Sequence, residues 1–147
     1  MIEIEKYQKQ LKTKIDMFSG QFMNNSKWTK LFKELSNNSI ETKKCLIKSV
    51  FDTILREIEI PNADNFNESF SKTGTNDNIT FGGPCAFKEI EQIIFPQEWT
   101  SDRQMRDQKL EPKIYNQNIT NIKSIIDSVG KFEMEINNEN LIIYAYR

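Results

Sequence analysis

Ile4, Tyr7, Leu11, Ile15 and Phe18 follow one another at three- and four-residue steps, with Lys6, Lys9, Lys12 and Lys14 between them. This pattern predicts a helix over 3–18, ended by Gly20. One narrow stripe, with Glu3, Glu5 and Asp16 among the lysines, reads as a helix packed on a core rather than one lying on a membrane. The period returns at Trp28, Leu31, Phe32 and Leu35. Asn24-Asn25-Ser26 offers short side chains to the first-turn N–H groups, and Ser36-Asn37-Asn38 stops the run. Lys27, Lys30 and Lys33 flank Trp28 as an aromatic-plus-basic nucleic-acid surface would. The aromatics share their stripe with leucines, however, which predicts burial instead.

Residues 40–60 satisfy two periods. Ile40, Lys44, Ile47, Phe51, Ile54 and Ile58 fit a helix, whereas Ile54, Ile58 and Ile60 against Glu57 and Glu59 alternate as a strand. β-Branched enrichment and Pro61 favour two short strands, roughly 43–50 and 54–60. From 62 to 80, Asn, Ser, Thr, Asp and Gly dominate, with Phe66, Phe70 and Ile79 as anchors, and a long acidic loop is predicted. Gly82-Gly83-Pro84 then opens a β-rich run that Pro96 closes, the signature of a central strand. Ser101 and Gln104 resemble a capping box and predict a short helix over 102–109, closed by Pro112. Ile119, Ile122, Ile125, Ile126 and Val129 mark a helix from an Asn118 or Thr120 cap to a terminal Gly130. Phe132, Met134 and Ile136, the turn Asn137-Asn138-Glu139-Asn140, and the apolar run Leu141–Tyr146 make a closing hairpin. With both of its faces apolar, the last strand should be covered on both sides.

The expected architecture is α+β, a single domain over 1–147, with an antiparallel sheet packed against N-terminal and late helices. The helix within 1–20 lies at the periphery and 62–80 forms the long acidic loop. At 147 residues with 37% hydrophobic content and 10 Phe, the chain has material for one core. The net charge of −1 is unevenly laid out. Lys and Arg against Asp and Glu number 11 against 6 in 1–56, 2 against 9 in 57–102, and 7 against 6 in 103–147. An acidic middle third favours a basic partner and disfavours nucleic acid, if its carboxylates share a face. Cys45 and Cys85 are the two cysteines. No signal-like stretch opens the chain and no apolar run nears the ~20 residues of a bilayer span, so a reduced cytoplasmic protein is expected.

The inventory of reactive groups argues against catalysis. A chain with 0 His lacks the commonest general base and metal ligand. Cys85 has no imidazole to activate it and reads as a small buried hydrophobe. Glu89 and Glu91, two apart on a strand, would share a face and could hold a divalent cation, but no further oxygen-ligand cluster accompanies them. No metal or cofactor is expected.

The motifs resemble those of a family of small bacterial proteins classed as a domain of unknown function. The resemblance rests on Asn24-Asn25-Ser26-Lys27-Trp28-Thr29 with Leu31 and Phe32, on Gly83-Pro84 through Phe87 with Glu89-Ile90-Glu91-Gln92-Ile93 and Pro96, and on Ile143-Tyr144-Ala145-Tyr146. Gln92 stands where that family usually has Trp, and Ala145 where it usually has Gly. The resemblance implies a cytoplasmic α+β domain and no established activity; by analogy alone, small single-domain proteins of this kind look like immunity proteins that neutralise a toxin.

The leading expectation is therefore a non-enzymatic protein-binding domain, an immunity-like inhibitor. Asp64, Glu68, Asp77, Glu89, Glu91 and Glu98 would meet basic groups of a toxin, with Trp99 as aromatic anchor. A small-molecule or regulatory domain with an apolar pocket between helices and sheet is the alternative. A metal-dependent hydrolase built on Glu89 and Glu91 is a third reading, and requires carboxylates from other segments to converge on them.

Overall fold

Asn24 Oδ1 accepts from Lys27 N at 2.8 Å and opens the helix Asn25–Asn37, so the predicted asparagine cap forms. The computed structural model describes residues 2–76, 83–105 and 108–147. In chain order the elements are α1 (Ile2–Asp16), α2 (Asn25–Asn37), β1 (Cys45–Ser49), β2 (Leu55–Ile58), α3 (Phe66–Ser69), β3 (Ile90–Pro96), β4 (Glu98–Met105), β5 (Gln108–Asn116), α4 (Ile119–Val129), β6 (Met134–Asn137) and β7 (Asn140–Tyr144). Short 3₁₀ turns at Ala63–Asn65 and Phe87–Glu89 precede α3 and β3.

Among the described residues the strands form a five-stranded antiparallel sheet, ordered β2-β1-β3-β7-β6, and a separate ribbon, β4-β5. The β-rich run before Pro96 is the central strand, paired with β1 through Ile47↔Ile93 and with β7 through Ile93↔Ile143. Strand is also the outcome for 40–60, because Cys45, Ile47 and Ile58 bury alternate positions against the core. The closing turn takes two consecutive positive φ values, Asn138 at 51° and Glu139 at 65°, the backbone of a tight two-residue hairpin turn. On β7, Leu141 and Ile143 are fully buried while Ile142 and Tyr144 are half-buried, so one face is sealed and the other only partly covered.

The core lies between the sheet and α2 with α4. Trp28, Phe32, Phe70 and Phe87 stack there, Phe32 within 4.6 Å of Phe70 and 5.8 Å of Phe87. Trp28 is 2% exposed and thus no stacking surface for bases. The apolar docking of α1 lies in its second half and just beyond it: Leu11 is buried, Ile15 and, after the helix, Phe18 pack on the core, and Ile4 remains 60% exposed.

Three expectations are corrected. Over its described residues, the predicted helix at 102–109 is instead part of the ribbon β4-β5, in which Trp99 pairs with Tyr115 and Thr100 with Ile114. Its register shifts between Ser101 and Arg103, opposite Glu111-Pro112, and such a bulge is where a strand tolerates proline. The stretch 62–80 is not a plain loop over its described part. Asn62 caps the 3₁₀ turn by accepting from Asn65 N, α3 follows, and Phe66 stacks on Phe70, 5.1 Å away, to pin the segment to the core. Farther on, Gly74 bridges Ala86 so closely that a side chain there would strike the Cys85 carbonyl. Finally, α4 runs to Gly130 as predicted and takes Asn118, one of the two expected caps, but Gly130 leaves the helix in extended conformation, not as a left-handed cap.

Candidate functional site

β3 divides the predicted site residues between its two ends, which are roughly 20 Å apart at ~3.3 Å per residue. At its start, Glu89 belongs to the 3₁₀ turn and only Glu91 to the strand, so the two carboxylates do not share a strand face as expected. The Phe87-Lys88-Glu89 turn ends with Ile90 N donating to the Phe87 carbonyl, which rotates Glu89 out of the strand's alternation. Glu89 accepts from Tyr7 Oη and thereby ties α1 to the sheet. Glu91 is ion-paired with Lys48 at 2.7 Å, both side chains mostly covered. Each is engaged inside the molecule.

Cys85 lies near this turn. Burial first, then the neighbouring Glu89 carboxylate, push its thiol up to about 12. Burial and then Glu57 raise Cys45 as well. Both are free thiols held in the protonated, unreactive form. Among the described residues no group of three or more Cys, Asp or Glu side chains could hold a metal ion, so the convergence needed by the hydrolase reading is not found there.

The other end of β3 is different. Trp99 stacks on Tyr115 across the base of the ribbon, centroids 5.9 Å apart and planes at 11°. Lys44 Nζ lies 5.8 Å from the Trp99 centroid and 3.2 Å from Glu57 Oε2, linking the aromatic pair to the edge strand β2. Along that edge Glu57 and Glu59 are exposed while Ile58 and Ile60 are buried. Glu59 and Glu68 then line one open cleft of about 270 Å³ with Pro61, Asn62 and Asn65. Asp64, on the 3₁₀ turn before α3, and Glu98, first residue of β4, are exposed nearby in the chain. Among the described residues none of Glu59, Asp64, Glu68 and Glu98 takes part in an ion pair. Asp77 lies outside the described residues.

Gln117, 5% exposed, fixes this end. Its Oε1 accepts from Lys43 N at 2.9 Å and Lys44 N at 3.0 Å, and its Nε2 donates to the carbonyls of Lys44 at 2.9 Å and Pro96 at 2.7 Å. One amide thus joins the foot of the ribbon to β1 and β3. The sequence reading missed Lys44, Glu57, Glu59 and Tyr115. The alternation Glu57-Ile58-Glu59-Ile60 carried the signal for two of them, whereas Tyr115 was hidden by reading Pro112 as a helix end.

The geometry defines an α+β domain with one rim where unpaired carboxylates adjoin a stacked aromatic pair. Comparisons with protein-family models, with curated proteins and with solved structures found no match to this chain. Among the described residues no helix is long and apolar enough to cross a membrane.

Proposed function

We propose that this protein is a non-enzymatic protein-binding domain, an immunity-like inhibitor that occupies a basic surface of a bacterial toxin in the cytoplasm. The observation that carries the reading is the continuity of the rim, from Trp99 and Tyr115 through Lys44 to Glu57, Glu59 and the Glu68 cleft. Aromatic anchors with a margin of charge are what a small binding face uses for residence and for steering. Within the predicted set, Glu68 lines the cleft and Trp99 stacks on Tyr115, and we assign to the same face Asp64 and Glu98, exposed in the segments next to them. Glu89 and Glu91 are engaged by Tyr7 and Lys48 and act as internal ties.

The test is affinity capture from the native lysate at low and high salt, followed by co-expression of the captured protein. A basic protein captured at low salt, toxic alone and silenced by co-expression, is the expected result. Glu59→Lys with Glu68→Lys should slow association, while Trp99→Ala should speed dissociation. Capture unaffected by all three substitutions would remove this rim as the binding face.

One observation favours the small-molecule reading. A cleft of about 750 Å³ runs beside α1, lined by Leu11, Ile15, Met23 and Tyr146 and by polar groups that include Lys12 and Asp16. That volume is within the range of ligand pockets. It predicts thermal stabilisation by an apolar metabolite, abolished by Met23→Lys.

A further inference from the structure

α1 stands as a ridge between two grooves, and the second faces away from the cleft beside Tyr146. This groove, about 530 Å³, is lined by Lys6, Lys9, Gln10, Thr13, Lys14 and Phe51. The five helix positions fall at i, i+3, i+4, i+7 and i+8, a single stripe down one side of α1. Phe51, from the turn after β1, supplies the floor, and its ring lies 6.0 Å from that of Tyr7. Lys6, Lys9 and Lys14 have no ion-pair partner among the described residues. The groove therefore presents three lysines on aliphatic stems around an apolar base, with Glu3 and Glu5 one helical turn before Lys6 and Lys9.

We infer that this groove docks an acidic peptide segment bearing one aromatic or large apolar residue. Charge complementarity selects the acidic partner: three lysines line the groove, no carboxylate lines it, and none of the three is ion-paired among the described residues. Lys6 and Lys14 are roughly 12 Å apart along the axis at ~1.5 Å per residue, the span of about four residues of extended chain. The apolar contact is recessed between the lysine stems at Phe51, which suits a single inserted side chain. A lipid surface would instead call for apolar groups along an exposed face of the helix, and Glu3 and Glu5 in its first turn disfavour an anionic membrane. The groove lies at the Glu89 end of β3, opposite the acidic rim, so the inference is independent of the inhibitor reading.

The test uses the full chain and a short fluorescein-labelled peptide of Asp and Glu around a central Phe, read by fluorescence anisotropy. Saturable binding that weakens with salt is expected, together with complete loss in the triple variant Lys6→Glu, Lys9→Glu, Lys14→Glu. Phe51→Ala, or Ala for Phe in the probe, should weaken binding about tenfold, and Lys30→Glu with Lys33→Glu should leave it unchanged. Circular dichroism of each variant confirms that α1 persists. Equal loss in the Lys30/Lys33 variant, or no loss in the triple variant, overturns the proposal. So does lysine-dependent binding to phosphatidylserine vesicles with no binding of the peptide, which assigns the groove to a membrane surface. Salt-sensitive self-association of the wild type, relieved by the triple variant, assigns it to a second copy instead.

Discussion

Gln117 shows how much one side chain can organise when its whole hydrogen-bonding capacity is met. Two backbone donors and two backbone carbonyls converge on its buried amide, where water can replace a lost partner only in part. Gln117→Ala would orphan the amides of Lys43 and Lys44 and the carbonyls of Lys44 and Pro96. A loss of about 3 kcal/mol is expected, since each buried backbone group left unpaired costs ~1–3 kcal/mol and partial solvation recovers some of it. Urea unfolding of the variant measures this; a loss below ~1 kcal/mol would mean the junction relaxes without the amide. The damage should also reach the rim, because Lys44 carries the link between Trp99 and Glu57. Nothing in the sequence around Gln117 announces this role. A glutamine between two asparagines just ahead of a helix looks like solvent-facing linker, and its partners lie 21 and 73–74 residues away.

At the scale of elements, what could be read in advance is what local chemistry decides. The Asn24 and Asn118 caps, the buried stripes of α2 and α4, and the positive-φ turn at Asn138-Glu139 depend on neighbours in the chain, and all form. The ribbon β4-β5 depends on distant pairing of Trp99 with Tyr115, which outweighs the capping-box pattern at Ser101 and Gln104. The 3₁₀ turn before β3 separates Glu89 from the alternation of Glu91, and only tertiary packing of Phe87 shows why it forms. α1 has the right period, yet Ile4 remains exposed, and its ties beyond Leu11, Ile15, the following Phe18 and the Tyr7 hydrogen bond are few. A helix held by so little apolar contact opens more readily than one sealed in the core. Native-state hydrogen exchange should therefore find α1 amides less protected than those of α2 and α4 by about two orders of magnitude, with Tyr7→Phe widening the gap. Equal protection would show that α1 belongs to the same cooperative unit.

For the whole molecule, the distribution of protons sets a limit at alkaline pH. Five groups spread over the fold prefer to keep their protons when folded. Burial comes first for Cys45 and Cys85, and likewise for Tyr7, Tyr144 and Tyr146, with Glu89 adding to Tyr7 and Glu135 to Tyr144. In the unfolded chain thiols ionise near ~8.5 and phenols near ~10. Above ~8.5 the unfolded state therefore releases protons that the folded state retains. Stability is fully present below that pH and falls as pH rises toward the folded values, about 12 for Cys85. A thiol that keeps its proton throughout contributes a slope of up to about 1.4 kcal/mol per pH unit. On the acid side, Asp52 is held low by its hydrogen bond from Arg56, and Glu135 by its hydrogen bond from Tyr144. Those contributions are lost as pH falls, and they are small because both carboxylates lie at the surface. Urea midpoints should accordingly be flat from about pH 6 to 8 and drop steadily above about 9, with Cys85→Ser removing part of the alkaline slope. A midpoint unchanged to about pH 10.5 would mean that the thiols and phenols ionise in place, and that the packing around Cys85 and Tyr7 opens to water without unfolding the sheet.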